Sequence, residues 1–271
     1  MLCEESTDET AESRVRPGGC RVGGSRMTDV ISFDRVADIY DSTRSLPPEI
    51  MDEVVEALAW NLEKKGCRSI LDAGVGTGRF ALPLQSQGFT VIGIDISPAM
   101  LARAQTKLVK NLAFGDLRRM PFRDESFDAS LFIHVFHLIR EVHQGLAELK
   151  RVSRKALFSV VAIFPPQVSL TDLYEKRLLE SGWPEIHPGL HERDLVKVIP
   201  PTETESIVTY TEERAADDAL RLLNQRVYSS LWEVPDELHK SIMAELRAQY
   251  AGKTLSSTRE LQICVWDKDR I

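Results

Sequence analysis

A short apolar run that ends in Asp72 is followed by three glycines at alternate positions, Gly74, Gly76 and Gly78. Glycine adopts turn conformations that other residues rarely reach, and it lets the backbone approach a ligand closely. The next segment, GRFALPLQSQG, reads as a helix, so the turn leads into a helix N-terminus whose free N–H groups can bind a ligand. A second carboxylate, Asp95, ends the neighbouring apolar run, where its oxygens could accept hydrogen bonds from both hydroxyls of a ribose.

The spacing of these residues indicates which kind of cofactor would fit. Dinucleotide-binding turns read G-x-G-x-x-G, whereas this turn reads G-x-G-x-G and closely follows Asp72. That carboxylate would repel a pyrophosphate and attract a cofactor that presents an ammonium group. The pattern therefore favours a nucleoside cofactor with a positive charge. A nicotinamide cofactor, as in an oxidoreductase, and a plain tight turn are the less favoured alternatives.

Apolar runs alternate with helical patterns before residue 165, which is typical of a parallel sheet with helices on both faces. Five runs predict strands: RSILDAG, FTVIGIDIS, NLAFGD, SFDASLFIHVF and KALFSVVAIF. ESIVTYTEE and ELQICVWD predict two more, and between them ADDALRLLNQRVYSSL and PDELHKSIMAELRAQY predict a helical insertion over about 214–250. The expected fold is α/β, with a Rossmann-like, seven-stranded, mostly parallel sheet and a helical insertion before the last strand.

Composition disfavours several classes of protein. The 271 residues carry a formal net charge of −7, which disfavours nucleic-acid binding because that depends on neutralising phosphates. No apolar run reaches the ~18 residues that span a bilayer, so no membrane partner is expected. The cysteines are scattered, with no metal-ligand spacing, which predicts reduced thiols, a cytoplasmic protein and no metal site. No pattern specifies an oligomeric state.

The domain organisation is expected to be simple. Residues 1–28 hold few large apolar side chains and many Glu, Ser, Gly and Arg residues, so we expect a disordered tail. Met27 opens a more ordinary protein start, and translation from there instead of Met1 is an alternative. Residues 29–271 show no repeat and no long linker, and they are predicted to form one domain.

Several segments resemble one family. LDAGVGTGRF looks like motif I of class I S-adenosylmethionine-dependent methyltransferases of the methyltransferase domain 11 type, and VIGIDIS resembles the acidic-loop motif that follows it. FGDLRRMPFRDESFD is similar to the family's D-x-x-x-L-P-F-x-x-x-S-F-D stretch. FDRVADIYDSTR resembles the helix that closes over the cofactor, and NQRVYSSLWEVPDE resembles a segment common in bacterial members. The resemblance covers roughly residues 29–267, although SRKAL stands where many members have a Pro-Gly-Gly turn.

The resemblance implies S-adenosyl-L-methionine as cofactor and assigns its binding residues. The three glycines would line its methionine and ribose side, Asp72 would help to hold its amino group through the turn, and Asp95 would accept from the ribose hydroxyls. The other implied residues are Ile96 and Met100 on the adenine ring, Asp116 and the Leu117 N–H on its polar edge, Ile133 and His134 near the sulfonium, and Tyr40 and Arg44 above the cofactor. Taken alone, Asp116 could instead form a local Asx turn.

Histidines gather near the end of the fourth predicted strand and in a later segment. His134 and His137 could face the transferred methyl group and act as a general base. Alternatively, one lines the pocket passively and the other packs or lies at the surface. His187 and His191 are four residues apart, but the sequence places no third ligand beside them, so a surface loop or a substrate-facing loop is expected rather than a metal pair.

The implied activity is in-line methyl transfer to a small-molecule acceptor. Such an enzyme need not use a strong base, because the cofactor carries the difficult chemistry. Tyr228, Trp232 and Trp183 in the later helices suggest a partly apolar or aromatic acceptor. The Asn/Asp-Pro-Pro-aromatic motif of enzymes that methylate DNA bases or protein amides is missing after the fourth strand, and FPPQ at 164–167 follows the fifth. A protein that binds the cofactor without turnover is the alternative.

Overall fold

A computed structural model describes residues 31–163, 169–184 and 186–271. The tail expected over residues 1–28 and the FPPQ segment lie outside the described residues. The strands are β1 (Ser69–Ala73), β2 (Thr90–Asp95), β3 (Leu112–Phe114), β4 (Phe127–Phe132), β5 (Ser153–Ile163), β6 (Glu203–Ala215) and β7 (Thr254–Asp267). The helices are α1 (Tyr40–Arg44), α2 (Pro48–Lys64), α3 (Ala81–Ser86), α4 (Pro98–Thr106), α5 (Val142–Val152), α6 (Leu170–Glu180), α7 (Glu192–Val198), α8 (Ala216–Asn224) and α9 (Asp236–Tyr250).

The seven strands form one sheet in the order β3-β2-β1-β4-β5-β7-β6. The first five pair in parallel, while β7 runs antiparallel to both β5 and β6. The predicted fold is therefore confirmed, including the helical insertion, since α8 and α9 lie between β6 and β7. The chain order reverses between β1 and β4, and α/β sheets bind ligands beyond the carboxyl ends of the strands at such a point.

Apolar cores lie on both faces of the sheet. Helix α2 buries one apolar face, with Val54, Leu58 and Leu62 fully covered, and this face packs with α3 against one side. Leu149 and Val152 of α5 pack against the other side. Burial of these helices on both faces explains why the parallel strands are almost continuously apolar.

Helix α8 ends earlier than its sequence predicts. We expected the helix to run to Leu231, but α8 stops at Asn224. Arg226 has a φ of 51°, in the left-handed region that ends a right-handed helix, and its carbonyl accepts a hydrogen bond of 2.9 Å from the Trp232 indole. The chain then turns through a short 3-10 helix, which brings Tyr228 into the wall of a cavity at the carboxyl edge of the sheet.

Helices α6, α8 and α9 share a third apolar core, distinct from the two that cover the sheet. The N-terminal segment connects the turn after α8 to the start of α4. Phe33 packs edge-on against Trp232, with ring centroids 5.1 Å apart, and Asp34 accepts a hydrogen bond of 2.6 Å from the Ser97 hydroxyl. Within the described residues, no helix combines the length and apolar character needed to cross a membrane.

Candidate functional site

A cavity of about 470 Å³ opens at the carboxyl edge of the sheet, beneath α1 and the helical insertion. Most of the residues predicted for the site lie in its wall. They are Tyr40, Arg44, Gly74, Gly76, Asp95, Ile96, Met100, Asp116, Leu117, Ile133, His134 and His137. Asp72 and Gly78, which were predicted beside the cofactor, do not lie in that wall.

The glycine turn has the conformation that its sequence predicts. Gly74, Gly76 and Gly78 have φ angles of 78°, 54° and 77°, a region that strains other residues. A Cβ at Gly74 would lie 2.7 Å from the Val135 side chain, and one at Gly78 would lie 2.4 Å from Val109. Gly78 thus allows close packing behind the turn, whereas Gly76, whose nearest neighbour would be 3.9 Å away, is open to the cavity.

The Asp95 carboxylate is fixed at the end of β2. It accepts hydrogen bonds of 2.8 Å from the backbone N–H of Gly76 and of 2.8 Å from that of Ser97. Burial raises the pKa of Asp95, and these N–H donors oppose that effect. The carboxylate therefore connects the glycine turn to the start of α4 while it faces the cavity, where it retains lone pairs for a ligand.

Asp72 acts from behind the turn. Its side chain is buried and accepts a hydrogen bond from the backbone N–H of Ala81 at the start of α3. Burial and the nearby Asp95 raise its pKa from 3.8 to about 7, against the opposing effect of Arg79. Asp72 therefore orients the turn and the helix behind it, which agrees with an indirect role rather than with direct contact to a ligand in the cavity.

We expect Asp72→Asn to change how stability depends on pH in the cofactor-free protein. Between pH 4 and pH 7 the unfolded chain releases the Asp72 proton while the folded protein keeps it, because the folded pKa of about 7 exceeds the unfolded value of 3.8. The free energy of unfolding of the wild type then falls with rising pH by up to about 1.4 kcal/mol per pH unit, and it levels off above pH 7. Asparagine removes this contribution.

Urea denaturation of both proteins from pH 4 to pH 8 measures the effect. The stability advantage of the variant over the wild type should grow up to about pH 7 and then stay constant. A difference that is the same at every pH would contradict the raised pKa of Asp72.

Asp116 lies in the cavity wall but already has a partner. Its carboxylate accepts from the Arg118 backbone N–H at 2.8 Å and from the Arg118 guanidinium at 2.8 Å. The same guanidinium also donates to Glu141 at 2.7 Å. The local Asx turn considered from the sequence is thus formed, and it directs the carboxylate and the neighbouring Leu117 to the cavity edge.

Two cationic side chains lie in the cavity wall: Arg44 at the end of α1 and Arg79 after the glycine turn. The Arg44 guanidinium stacks 4.3 Å from the centre of the Tyr228 ring and donates to the Val227 carbonyl at 3.4 Å. Burial lowers the pKa of Arg44. Arg79, which the sequence analysis did not single out, donates to the Arg44 carbonyl at 2.6 Å. Its position directly after the glycine turn was the only signal for it.

His134 stands at the carboxyl end of β4. Its φ of 55° places it in the left-handed region, where a non-glycine residue often marks a functional site. Half of the side chain is exposed, into the cavity whose wall it forms. Burial in the molecule and nearby arginines lower the pKa of His134 to about 3, so the ring is neutral at physiological pH.

A buried carboxylate from α7 holds the segment after His134. Glu192 Oε1 accepts from the backbone N–H of Val135 at 2.8 Å and from that of Phe136 at 3.4 Å. Its Oε2 lies 3.9 Å from His134 Nδ1. Burial raises the pKa of Glu192. The sequence contained no signal for this residue beyond its place directly after His191.

The chain is an α/β protein whose cavity lies at the carboxyl edge of its sheet, the place where such folds bind ligands. The methyltransferase domain family matches residues 71–156, which span β1 to the beginning of β5. The demethylmenaquinone methyltransferase of Deinococcus radiodurans is 37% identical over 173 residues, which are 59% of this chain and 69% of that protein. The chain belongs to the class I S-adenosylmethionine-dependent methyltransferases.

Other relatives are matched over smaller parts of their length. The phosphatidylethanolamine N-methyltransferase of Cereibacter sphaeroides is 40% identical over 93 residues, which are 32% of this chain and 45% of that protein. The chain covers 61% of the demethylmenaquinone methyltransferase of Beutenbergia cavernae, at 34% identity over 52% of its own length. Among solved structures, a protein of Bacillus halodurans C-125 has the same fold, with a TM-score of 0.52, 18% identity and coverage of 78% of this chain and 98% of that one.

Proposed function

We propose that the chain transfers a methyl group from S-adenosyl-L-methionine to a small-molecule acceptor by in-line displacement. The observation that carries the proposal is the Asp95 carboxylate, held by two backbone N–H groups beside the glycine turn and facing the cavity. Such a carboxylate can accept hydrogen bonds from two neighbouring ribose hydroxyls. Membership of the family supports the same cofactor.

The other predicted residues supply the remaining contacts in this proposal. Gly76 and Gly74 let the cofactor approach the turn, and Asp72 orients that turn from behind. Ile96 and Met100 lie in the wall next to Asp95 and would pack on the adenine. The proposed set also includes Asp116 and Leu117 at the cavity edge, Ile133 and His134 at the end of β4, Tyr40 and Arg44 above the cofactor, and Gly78, which packs behind the turn.

His134 and His137 are the proposed proton acceptors during transfer. When bound, the cofactor supplies an electrophilic methyl group. Both imidazoles line the cavity. Burial lowers the pKa of each, so both are neutral and have a lone pair for a proton, but the same burial makes them weaker bases than a solvent-exposed histidine. The enclosing wall excludes water and aligns the acceptor, which accounts for most of the catalysis that we assign to the protein.

The acceptor is proposed to be a small molecule with an apolar body. Of the three aromatic residues that suggested this from the sequence, Tyr228 lies in the cavity wall, whereas Trp183 and Trp232 do not. Phe33 and Tyr210 are wall residues that the sequence analysis did not name. Similar proteins include demethylmenaquinone and phosphatidylethanolamine N-methyltransferases, which supports a small-molecule acceptor.

Calorimetric titration with S-adenosylmethionine, S-adenosylhomocysteine and NADH tests the proposal. We expect both sulfur cofactors to bind in the micromolar range and NADH to release no heat. Formation of S-adenosylhomocysteine is then followed with a panel of quinols, phenols and amines. Cofactor binding without product from any acceptor would favour the non-catalytic alternative, and binding of NADH alone would favour an oxidoreductase.

The state of the cysteines supports a reducing compartment for this protein. Cys67 and Cys264 are both free and buried, and burial raises the pKa of both thiols, which makes them poorly reactive. Free thiols fit a reducing compartment, and we place the protein in the cytoplasm.

A further inference from the structure

Three histidines from distant parts of the sequence meet in the cavity wall. The His137 and His191 rings stack nearly parallel, with centroids 4.7 Å apart. The His187 ring lies edge-on to both, 5.1 Å from His137 and 4.6 Å from His191. No third residue beside His187 and His191 is evident from the sequence, whereas the fold brings His137 against both rings.

Backbone contacts hold this cluster together. His137 belongs to the 3-10 turn that follows β4, and its carbonyl accepts from the Gly189 N–H at 3.2 Å. A Cβ at Gly189 would lie 2.1 Å from the Phe136 carbonyl oxygen and 2.2 Å from that of Ile139. Only glycine permits this approach, which brings the flanking His187 and His191 onto the turn.

Two ring nitrogens in the cluster lack the partners that buried polar atoms normally have. The Nδ1 atoms of His137 and His187 are buried and accept or donate no hydrogen bond among the described residues. The other nitrogen of His187, Nε2, lies 3.5 Å from the Glu175 carboxylate of α6. A histidine ring that donates to a carboxylate is fixed in orientation, so Glu175 holds His187 against the other two rings.

A carboxylate completes a possible ligand set. One nitrogen each of His137 and His191 and one oxygen of Glu192 lie within 4.8 Å of one another. Zinc–nitrogen bonds of about 2.0–2.1 Å put neighbouring ligand atoms roughly 3.3 Å apart in a tetrahedral site. The His137 and His191 rings would therefore have to turn out of their parallel stacking, so that the ligand atoms move roughly 1–1.5 Å closer together around a common ion. Two histidines and one carboxylate are a known ligand set for zinc and for ferrous iron.

We propose that His137, His191 and Glu192 bind a divalent transition-metal ion in the cavity wall, with the His187 ring packed against both histidines. The three histidines and Glu175 all line the cavity, so the ion has access to whatever occupies it. If the proposed methyl transfer is correct, on which this step rests, a bound ion would hold an acceptor through an oxygen atom and favour its deprotonated form. His137 would then give its lone pair to the metal, and His134 alone would serve as the proton acceptor.

Metal titration of the full, untagged chain tests the site. The protein carries Cys3→Ser and Cys20→Ser, is stripped with a chelator, and is titrated with Zn²⁺ by calorimetry and with Co²⁺ by visible absorption. We expect one equivalent of each metal and a cobalt d–d band typical of a nitrogen-rich site. His137→Ala and His191→Ala should each weaken binding of Zn²⁺ at least tenfold, with glutamine variants made where alanine prevents folding.

His143→Ala is the matched control, since His143 lies on α5 outside the cluster, and it should bind Zn²⁺ like the parent. Zinc affinity that is unchanged in His137→Ala and His191→Ala, or a parent chain without the cobalt band, overturns the proposal. Titration of the same proteins with S-adenosylmethionine is read separately. Loss of cofactor binding in the parent would count against the proposed function and would leave the metal result unaffected.

Discussion

Asp95→Ala is expected to weaken binding of S-adenosylmethionine at least about 100-fold. Hydrogen bonds to a charged group contribute about 1.5–3 kcal/mol each, so losing two to ribose hydroxyls corresponds to a factor of about 100 or more in the dissociation constant. The same substitution removes the acceptor for the N–H groups of Gly76 and Ser97, which loosens the turn. Calorimetric titration of wild type and variant measures the change.

Asp128 provides a matched control for this substitution. It too accepts two backbone hydrogen bonds, from Arg68 and Ser69 at 2.9 Å each, but it does not line the cavity. Asp128→Ala should therefore lower stability and leave cofactor affinity within about twofold of the wild type. Equal losses of affinity in the two variants would show that Asp95 acts only by stabilising the fold.

Gly189→Ala is expected to destabilise the segment that carries His187 and His191 by about 3 kcal/mol or more, because overpacking commonly costs 1–3 kcal/mol even where side chains can yield. Here the added methyl group would meet two backbone carbonyl oxygens at 2.1 and 2.2 Å, and neither can rotate away. The segment must then move off the turn after β4. Urea denaturation measures the loss of stability, and limited proteolysis shows whether cleavage begins within residues 181–191.

Gly182→Ala separates this clash from simple backbone strain. Gly182 has a φ of 83°, but a Cβ there would meet nothing within 4 Å. The cost should be limited to the roughly 1–2 kcal/mol of a left-handed conformation. A Gly189→Ala protein no less stable than Gly182→Ala would refute the close packing described for Gly189.

Elements defined by local patterns could be predicted from the sequence. The apolar runs predicted the strands, because a strand buried on both faces needs apolar residues throughout. The glycines predicted the turn after β1, because positive φ angles favour glycine. A serine directly before a proline is a typical start of a helix, and the Ser97 side chain does accept from the Met100 N–H at 3.1 Å at the start of α4. The end of α8 could not be placed, since the left-handed conformation of Arg226 depends on contacts with the following turn.

Contacts between distant segments account for what the sequence did not reveal. Glu192 binds the backbone of Val135, 57 positions earlier in the chain, and no local pattern marks such a pairing. The histidine cluster likewise depends on the docking of the segment before α7 onto the end of β4. The position of Asp72 behind the cavity wall could not be predicted either. The spacing of residues shows that a side chain is close to a turn, but not on which side of the turn it packs. The roles assigned to individual cofactor-binding residues stay predictions.

The position of β7 between β5 and β6 has a consequence for synthesis of the chain. The apolar β5 ends at Ile163, and the strand that covers its edge begins only at Thr254. At a translation rate of ~5–20 residues per second, that edge waits several seconds for its partner. Until then the nascent sheet exposes unpaired backbone groups that can pair with another chain. Slow elongation through α6–α9 would thus raise the risk of aggregation on the ribosome, whereas a chaperone bound to β5 would lower it.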